Sequence, residues 1–111
     1  MRKIFIALAI LTLAGTAAFA DADADTGQRI YLKTLSDHTG MNGADFAALH
    51  TTAEWNALFD GDAEGFVKEI GQKYPNALPY LNGEMFAKHR RYLKAFMASY
   101  SKDSGNFPSC N

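Results

Sequence analysis

The chain has 111 residues, with 11 Lys and Arg against 12 Asp and Glu and a formal net charge of −1. That balance excludes the basic stripe on which nucleic-acid binding depends, and a single cysteine excludes any disulfide within the chain. The length suits one domain with a modest core, because small domains bury a smaller share of their surface.

Residues 1–20 read as an export signal. Arg2 and Lys3 precede an apolar run from Ile4 to Leu13, and Ala18-Phe19-Ala20 supplies a small-x-small cleavage pattern. The run is too short for a membrane span, so no stable membrane insertion is expected. No Cys follows Ala20 to take a lipid. The expectation is a periplasmic or secreted protein, more acidic than the whole chain because Arg2 and Lys3 leave with the signal.

Residues 21–25 alternate Asp and Ala and read as a short disordered leader. Thr26 is placed to cap a first helix carrying Ile30, Tyr31 and Leu35 on its apolar side. Gly40-Met41-Asn42-Gly43 predicts a turn, and a short helical segment follows through Phe46 and Leu49. Thr51 and Glu54 form a Thr-x-x-Glu capping box ahead of Trp55, Leu58 and Phe59. Asp60-Gly61 ends that helix and Asp62 starts another, with Phe66, Val67, Ile70 and Tyr74 at helical spacings.

Pro75 and Pro79 predict an extended or turning segment from Tyr74 to Leu81, since each disfavours helix in the residue before it. Asn82 or Gly83 opens the last helix, in which Phe86, His89, Leu93, Phe96, Met97 and Tyr100 recur at three and four. Lys102 to Gly105 end it. The aromatic side chains Tyr31, Phe46, Trp55, Phe59, Phe66, Phe86 and Phe96 are enough to fill a small helical core. The whole reads as an all-α single domain of four to five helices over residues 26–103, with 104–111 as a tail holding Cys110.

Several of these residues, in order, resemble the class I cytochromes c. Gly27 and Tyr31 match the Gly-x-x-x-Tyr/Phe start of that family's first helix. The segment Thr34-Leu35-Ser36-Asp37-His38-Thr39-Gly40 falls in step with its Cys-x-x-Cys-His-x-Gly haem motif. Gly71 and Leu78-Pro79 occupy the places of its later Gly…Met-Pro, and Ala95-Phe96-Met97 is similar to its closing helix. The resemblance implies first and last helices that cross, with Gly27 permitting the close approach.

The departures from that pattern carry the chemistry. Thr34 and Asp37 replace the two thiols that would add to the haem vinyl groups, so no covalent haem is expected. Leu78 replaces the methionine ligand and offers no lone pair. His38 alone could still hold haem non-covalently, and Met41, Met85 or His89 could be the second ligand. Two readings follow: a haem-free accessory or interaction protein beside a redox complex, or an electron carrier holding haem on His38. An unrelated small helical binding protein is the third.

Each candidate residue also has a plainer explanation. His38, with Asp37 beside it, could serve as an iron ligand or simply satisfy carbonyls at a helix C-terminus. His38, His50 and His89 lack the compact spacing of a zinc site. Lys88, Arg90, Arg91 and Lys94 are either a docking patch for an acidic, redox-active protein partner or the solvated face of an amphipathic helix. Cys110 is an inert tail thiol or the bridge of a disulfide-linked dimer. Cys110 with His50 could be drawn as nucleophile and base, but a tail residue is poorly placed for it. No Gly-x-Ser-x-Gly, phosphate loop or His-Glu-x-x-His occurs, so no enzyme is expected.

Overall fold

The buried residues Ala24, Gly27 and Tyr31 recur at spacings of three and four and form the inner stripe of the first helix, α1, over residues 22–34, with buried Leu35 just past its end. The computed structural model describes residues 22–106. The segments 1–21 and 107–111, with the expected signal and Cys110, lie outside the described residues.

Residues 22–25 are therefore not a disordered leader. They are helical and belong to α1, with Ala24 only 1% exposed. Thr26 does not cap this helix. It lies inside it, where its hydroxyl donates to the carbonyl of Ala22 at 3.2 Å.

After a break at Leu35 the chain resumes in α2 (Ser36–Thr39), closed by Gly40 in the left-handed region at φ 69°. The Tyr31 hydroxyl fixes the turn beyond, meeting Thr39 Oγ1 at 2.7 Å and donating to the Met41 carbonyl at 2.9 Å. Asn42 caps α3 (Gly43–Ala47) by accepting from the Asp45 amide at 2.8 Å. The Thr51–Glu54 capping box forms in both directions at the start of α4 (Thr52–Leu58).

The next start differs from expectation. Asp62 does not cap α5 (Glu64–Lys73); that position belongs to Ala63, which is buried and held at φ 64°. Gly61, at φ 63°, and Ala63 together turn the chain sharply, and the Asp62 carboxylate points instead at Arg90.

Pro75 and Pro79 do not impose an extended segment. Pro75–Ala77 is a 3₁₀ turn and Leu78–Leu81 is α6, each with its proline in the first turn, where the missing N–H costs nothing. The last helix, α7 (Glu84–Ser99), starts from Gly83 in extended conformation. Seven α-helices and one 3₁₀ turn are thus present among the described residues, with no strand. The excess over four or five comes from the short helices α2 and α6.

An unbroken aromatic chain forms the core. Tyr31 lies 4.8 Å from Phe46, Phe46 5.7 Å from Trp55, and Phe59 stacks on Phe66 at 4.5 Å. Phe66 in turn stacks on Phe86 at 5.8 Å, with planes 6° apart. The buried Trp55 indole donates to the Ala47 carbonyl at 2.8 Å, tying α3 to α4.

α1 and α7 meet at Gly27. A Cβ there would lie 2.0 Å from the Tyr92 carbonyl oxygen and 2.7 Å from Phe96 Cβ, so only glycine lets these backbones approach so closely. Beyond α7 the chain returns to the start of α4. The Asp103 carboxylate accepts from the Thr52 amide at 2.8 Å, and the Lys102 amide donates to the His50 carbonyl at 3.1 Å.

Candidate functional site

The three histidines occupy three separate environments. His38 is exposed on α2, as is Asp37 beside it. Thr34, one helical turn earlier, is half-buried, and its hydroxyl donates to the Ile30 carbonyl at 2.7 Å. His50 lies edge-on to Trp55, with Nε2 2.7 Å from Glu69 and Nδ1 3.4 Å from Glu54. His89 Nδ1 lies 2.8 Å from the Tyr80 hydroxyl. No group of His, Cys, Asp or Glu among the described residues is arranged to hold a metal ion.

The candidate haem ligands lie in different surroundings. An enclosed haem requires a donor facing an apolar cleft, whereas His38 faces solvent and the interior is filled by stacked rings. Leu78, at the place of the missing methionine, opens α6 and packs against Gly71 of α5. Its Cδ2 would be 2.5 Å from a Cβ on Gly71. Of the other candidate ligands, Met85 is 59% exposed, Met41 packs against the core, and His89 is engaged by Tyr80.

Burial acts on the two inward tyrosines. It pushes the Tyr31 hydroxyl up to about 12, against a smaller opposing effect of the Thr39 hydrogen bond, and it raises Tyr80 too. Two carboxylates are held below their usual range by hydrogen bonds, first of all from backbone amides: Glu54 by Thr51 and Asp103 by Thr52.

The cationic residues do converge. Arg90, Arg91 and Lys94 of α7 line a surface cleft of about 200 Å³ whose remaining walls are Phe59 and Gly61, from the turn between α4 and α5. Arg90 is fixed by Asp62, donating to its carbonyl and its carboxylate at 3.2 Å each. The Arg91 guanidinium lies 4.5 Å from the Tyr92 ring centroid and donates to the Tyr92 hydroxyl, a contact that raises its pKa. Lys94 is exposed, with no ion pair among the described residues. Lys88 is exposed on the same helix but does not line the cleft.

A larger cleft of about 410 Å³ adjoins this one across Arg90, with Asp62, Lys68, Leu81 and Phe86 among its walls. Its charges are mixed, and it does not include His38.

Sequence reasoning found the cations but not their partners. Phe59 and Gly61 read as a helix end and a breaker, and nothing in their spacing to residues 90–94 points to a shared cleft. Asp62 read as a cap. Its ion pair with Arg90 spans 28 positions and has no local signature. The same holds for His50 with Glu69, which are 19 apart. Among the described residues, no helix is long and apolar enough to cross a membrane. Compared with protein-family models, curated proteins and solved structures, the chain matches none of them.

Proposed function

We propose that this chain is an exported, haem-free helical interaction protein, without catalytic activity of its own, that engages a protein partner through the basic face of α7. The observation that carries the reading is the interior itself. Phe59, Phe66 and Phe86 stack where a prosthetic group would otherwise supply apolar bulk, and the one histidine of the degenerate Thr34…Asp37-His38 segment is turned to solvent. Such a core requires no cofactor for its closure, because close-packed side chains already supply the dispersion contacts.

What remains for function is the surface. Arg90, Arg91 and Lys94 sit together around one cleft, with Lys88 further along the helix. A cluster of one sign raises the encounter rate with an oppositely charged partner. A partner that is itself a redox protein would fit the cytochrome-like spacing of Gly27, Tyr31, His38 and Pro79. The clustered cations work equally well without that association.

Haem titration tests the reading. The folded protein is mixed with ferric haem and its visible spectrum followed before and after dithionite, beside the His38→Ala variant. The expected result is no reduction-sensitive Soret band that depends on His38. A stoichiometric band abolished by His38→Ala would replace the interaction protein with a haem carrier.

A further inference from the structure

We infer that the cleft between Phe59, Gly61 and the α7 cations is an anchor for a single carboxylate side chain from an acidic segment of the partner protein. The inference deepens the interaction reading above and rests on it for the identity of the surface.

Size argues for one side chain rather than a whole small molecule. The cleft holds about 200 Å³, below the roughly 300–1,000 Å³ of sites that enclose a ligand. Its floor is apolar: Phe59 is only 5% exposed and is backed by Phe66. Its rim carries three cations. A carboxylate on a short aliphatic stem matches both parts, with methylenes over the ring and oxygens at the rim.

Preorganisation argues for function rather than a merely solvated face. Arg90 is held by two bonds to Asp62, and Arg91 is held by the Tyr92 ring and hydroxyl. Two of the three cations therefore have less freedom to lose on binding. Guanidinium groups also present a planar fork suited to carboxylate oxygens. Lys94 is exposed and unpaired among the described residues, so its charge is available to an incoming anion.

With Arg90 paired to Asp62 and Asp60 exposed between Phe59 and Gly61, Arg91 and Lys94 are the cations the cleft offers to an anion. Asp62 is spent on Arg90, Glu64 accepts from the Asp62 amide at 2.9 Å, and Asp23 acts on Arg91 only as a minor influence. The turn that supplies Phe59 and Gly61 also holds Ala63, a non-glycine residue at φ 64°. Strain of this kind is kept where surrounding structure enforces it, frequently beside binding sites.

The test uses the folded protein and three probes: fluorescein-labelled hexaglutamate, the matching hexaglutamine peptide, and inorganic phosphate as competitor, all at low ionic strength. Hexaglutamate is expected to bind with an affinity that falls as salt rises, and hexaglutamine is expected not to bind. The Arg91→Glu/Lys94→Glu variant should lose on the order of tenfold or more in affinity, while Lys33→Glu on α1 changes it by no more than about threefold. Lys94→Ala should give an intermediate loss in a less perturbed protein. Phosphate should compete only at concentrations on the order of a hundred times higher.

Equal losses from Lys33→Glu and from the α7 variants would reduce the effect to net charge and overturn the inference. Hexaglutamate binding that survives the α7 double variant would do the same. Phosphate competing as well as hexaglutamate would assign the cleft to a free anion. A silent haem titration combined with failed peptide binding removes only the cleft assignment. A positive haem titration removes the interaction reading whatever the peptide does.

Discussion

Replacing Gly27 by alanine sets two effects of opposite sign against each other. Gly27 lies within α1. On helix propensity alone, Gly→Ala in a helix interior stabilises by about 1 kcal/mol. Packing says the reverse. The new Cβ would lie 2.0 Å from the Tyr92 carbonyl oxygen, 2.7 Å from its carbonyl carbon and 2.7 Å from Phe96 Cβ. Two of these three atoms are backbone and the third is fixed to it, so no rotamer change relieves the contact.

The two helices must move apart by more than an ångström to reach ordinary van der Waals distance. That shift loosens the buried Tyr31 and Phe96, whose rings lie 6.2 Å apart. Overpacking a close-packed site costs about 1–3 kcal/mol, and more when backbone cannot yield. Taking about 3 kcal/mol against the gain of about 1 leaves a net loss near 2 kcal/mol, or roughly 8–16 °C in Tm for a domain of this size. Thermal and urea unfolding followed by far-ultraviolet circular dichroism read the difference directly. A Gly27→Ala protein as stable as the parent, or more so, would refute the crossing of α1 and α7 at this residue.

Three further expectations follow from the same geometry. Gly71→Ala should be nearly neutral, within about 1 kcal/mol, because the atom it meets is the mobile end of Leu78 rather than backbone, and the propensity gain offsets the repacking; a loss as large as that of Gly27→Ala would show α6 to be rigidly set against α5. Because burial raises the Tyr31 hydroxyl from 10.0 to about 12, its contribution is complete below pH 10 and is lost as pH rises towards 12. Unfolding across that window should therefore be steeper in the parent than in Tyr31→Phe, and identical slopes would remove Tyr31 as the cause. Asp103 has the opposite sign: its pKa is lowered, so its contribution is present above the ordinary value of 3.8 and fades as pH falls through the depressed one. Asp103→Asn should narrow the difference in urea midpoint between pH 7 and pH 2, and an unchanged difference would rule the Thr52 contact out.

The readable parts of the fold were those written in local sequence. The Thr51–Glu54 box and the run from Phe86 to Tyr100 each hold their whole signal within a few turns, and both elements form as expected. The close approach at Gly27 was an expectation drawn from the resemblance alone, and α7 does pack onto it.

The failures came where tertiary contact overrules local preference. Asp and Ala alternation at 21–25 looks like a polar leader, yet in the folded chain residues 22–25 are helical and Ala24 is buried. The prolines at 75 and 79 look like helix breakers, yet each takes the first-turn place that a helix tolerates. Ala63 was unreadable as a left-handed cap, because alanine carries no signal for that conformation. The cleft was half legible: its cations stand out on one helix, but Phe59, Gly61 and Asp62 reach them only through a turn whose direction is set by two positive φ angles.

That turn joins the interior to the surface of the molecule. Phe59 is both the last ring of the stack running through Phe66 to Phe86 and the floor beneath Arg91 and Lys94. The residue that helps fill the core therefore also shapes the place where an acidic side chain would rest. A cofactor-bearing core would have to give up this arrangement, because a planar group inserted among Phe59, Phe66 and Phe86 would displace the floor of the cleft. Filling the interior with side chains and presenting the cations of α7 on a fixed base are consequently two results of the same packing. A substitution that hollows the stack at Phe66 should therefore weaken acidic-peptide binding without touching a single charge.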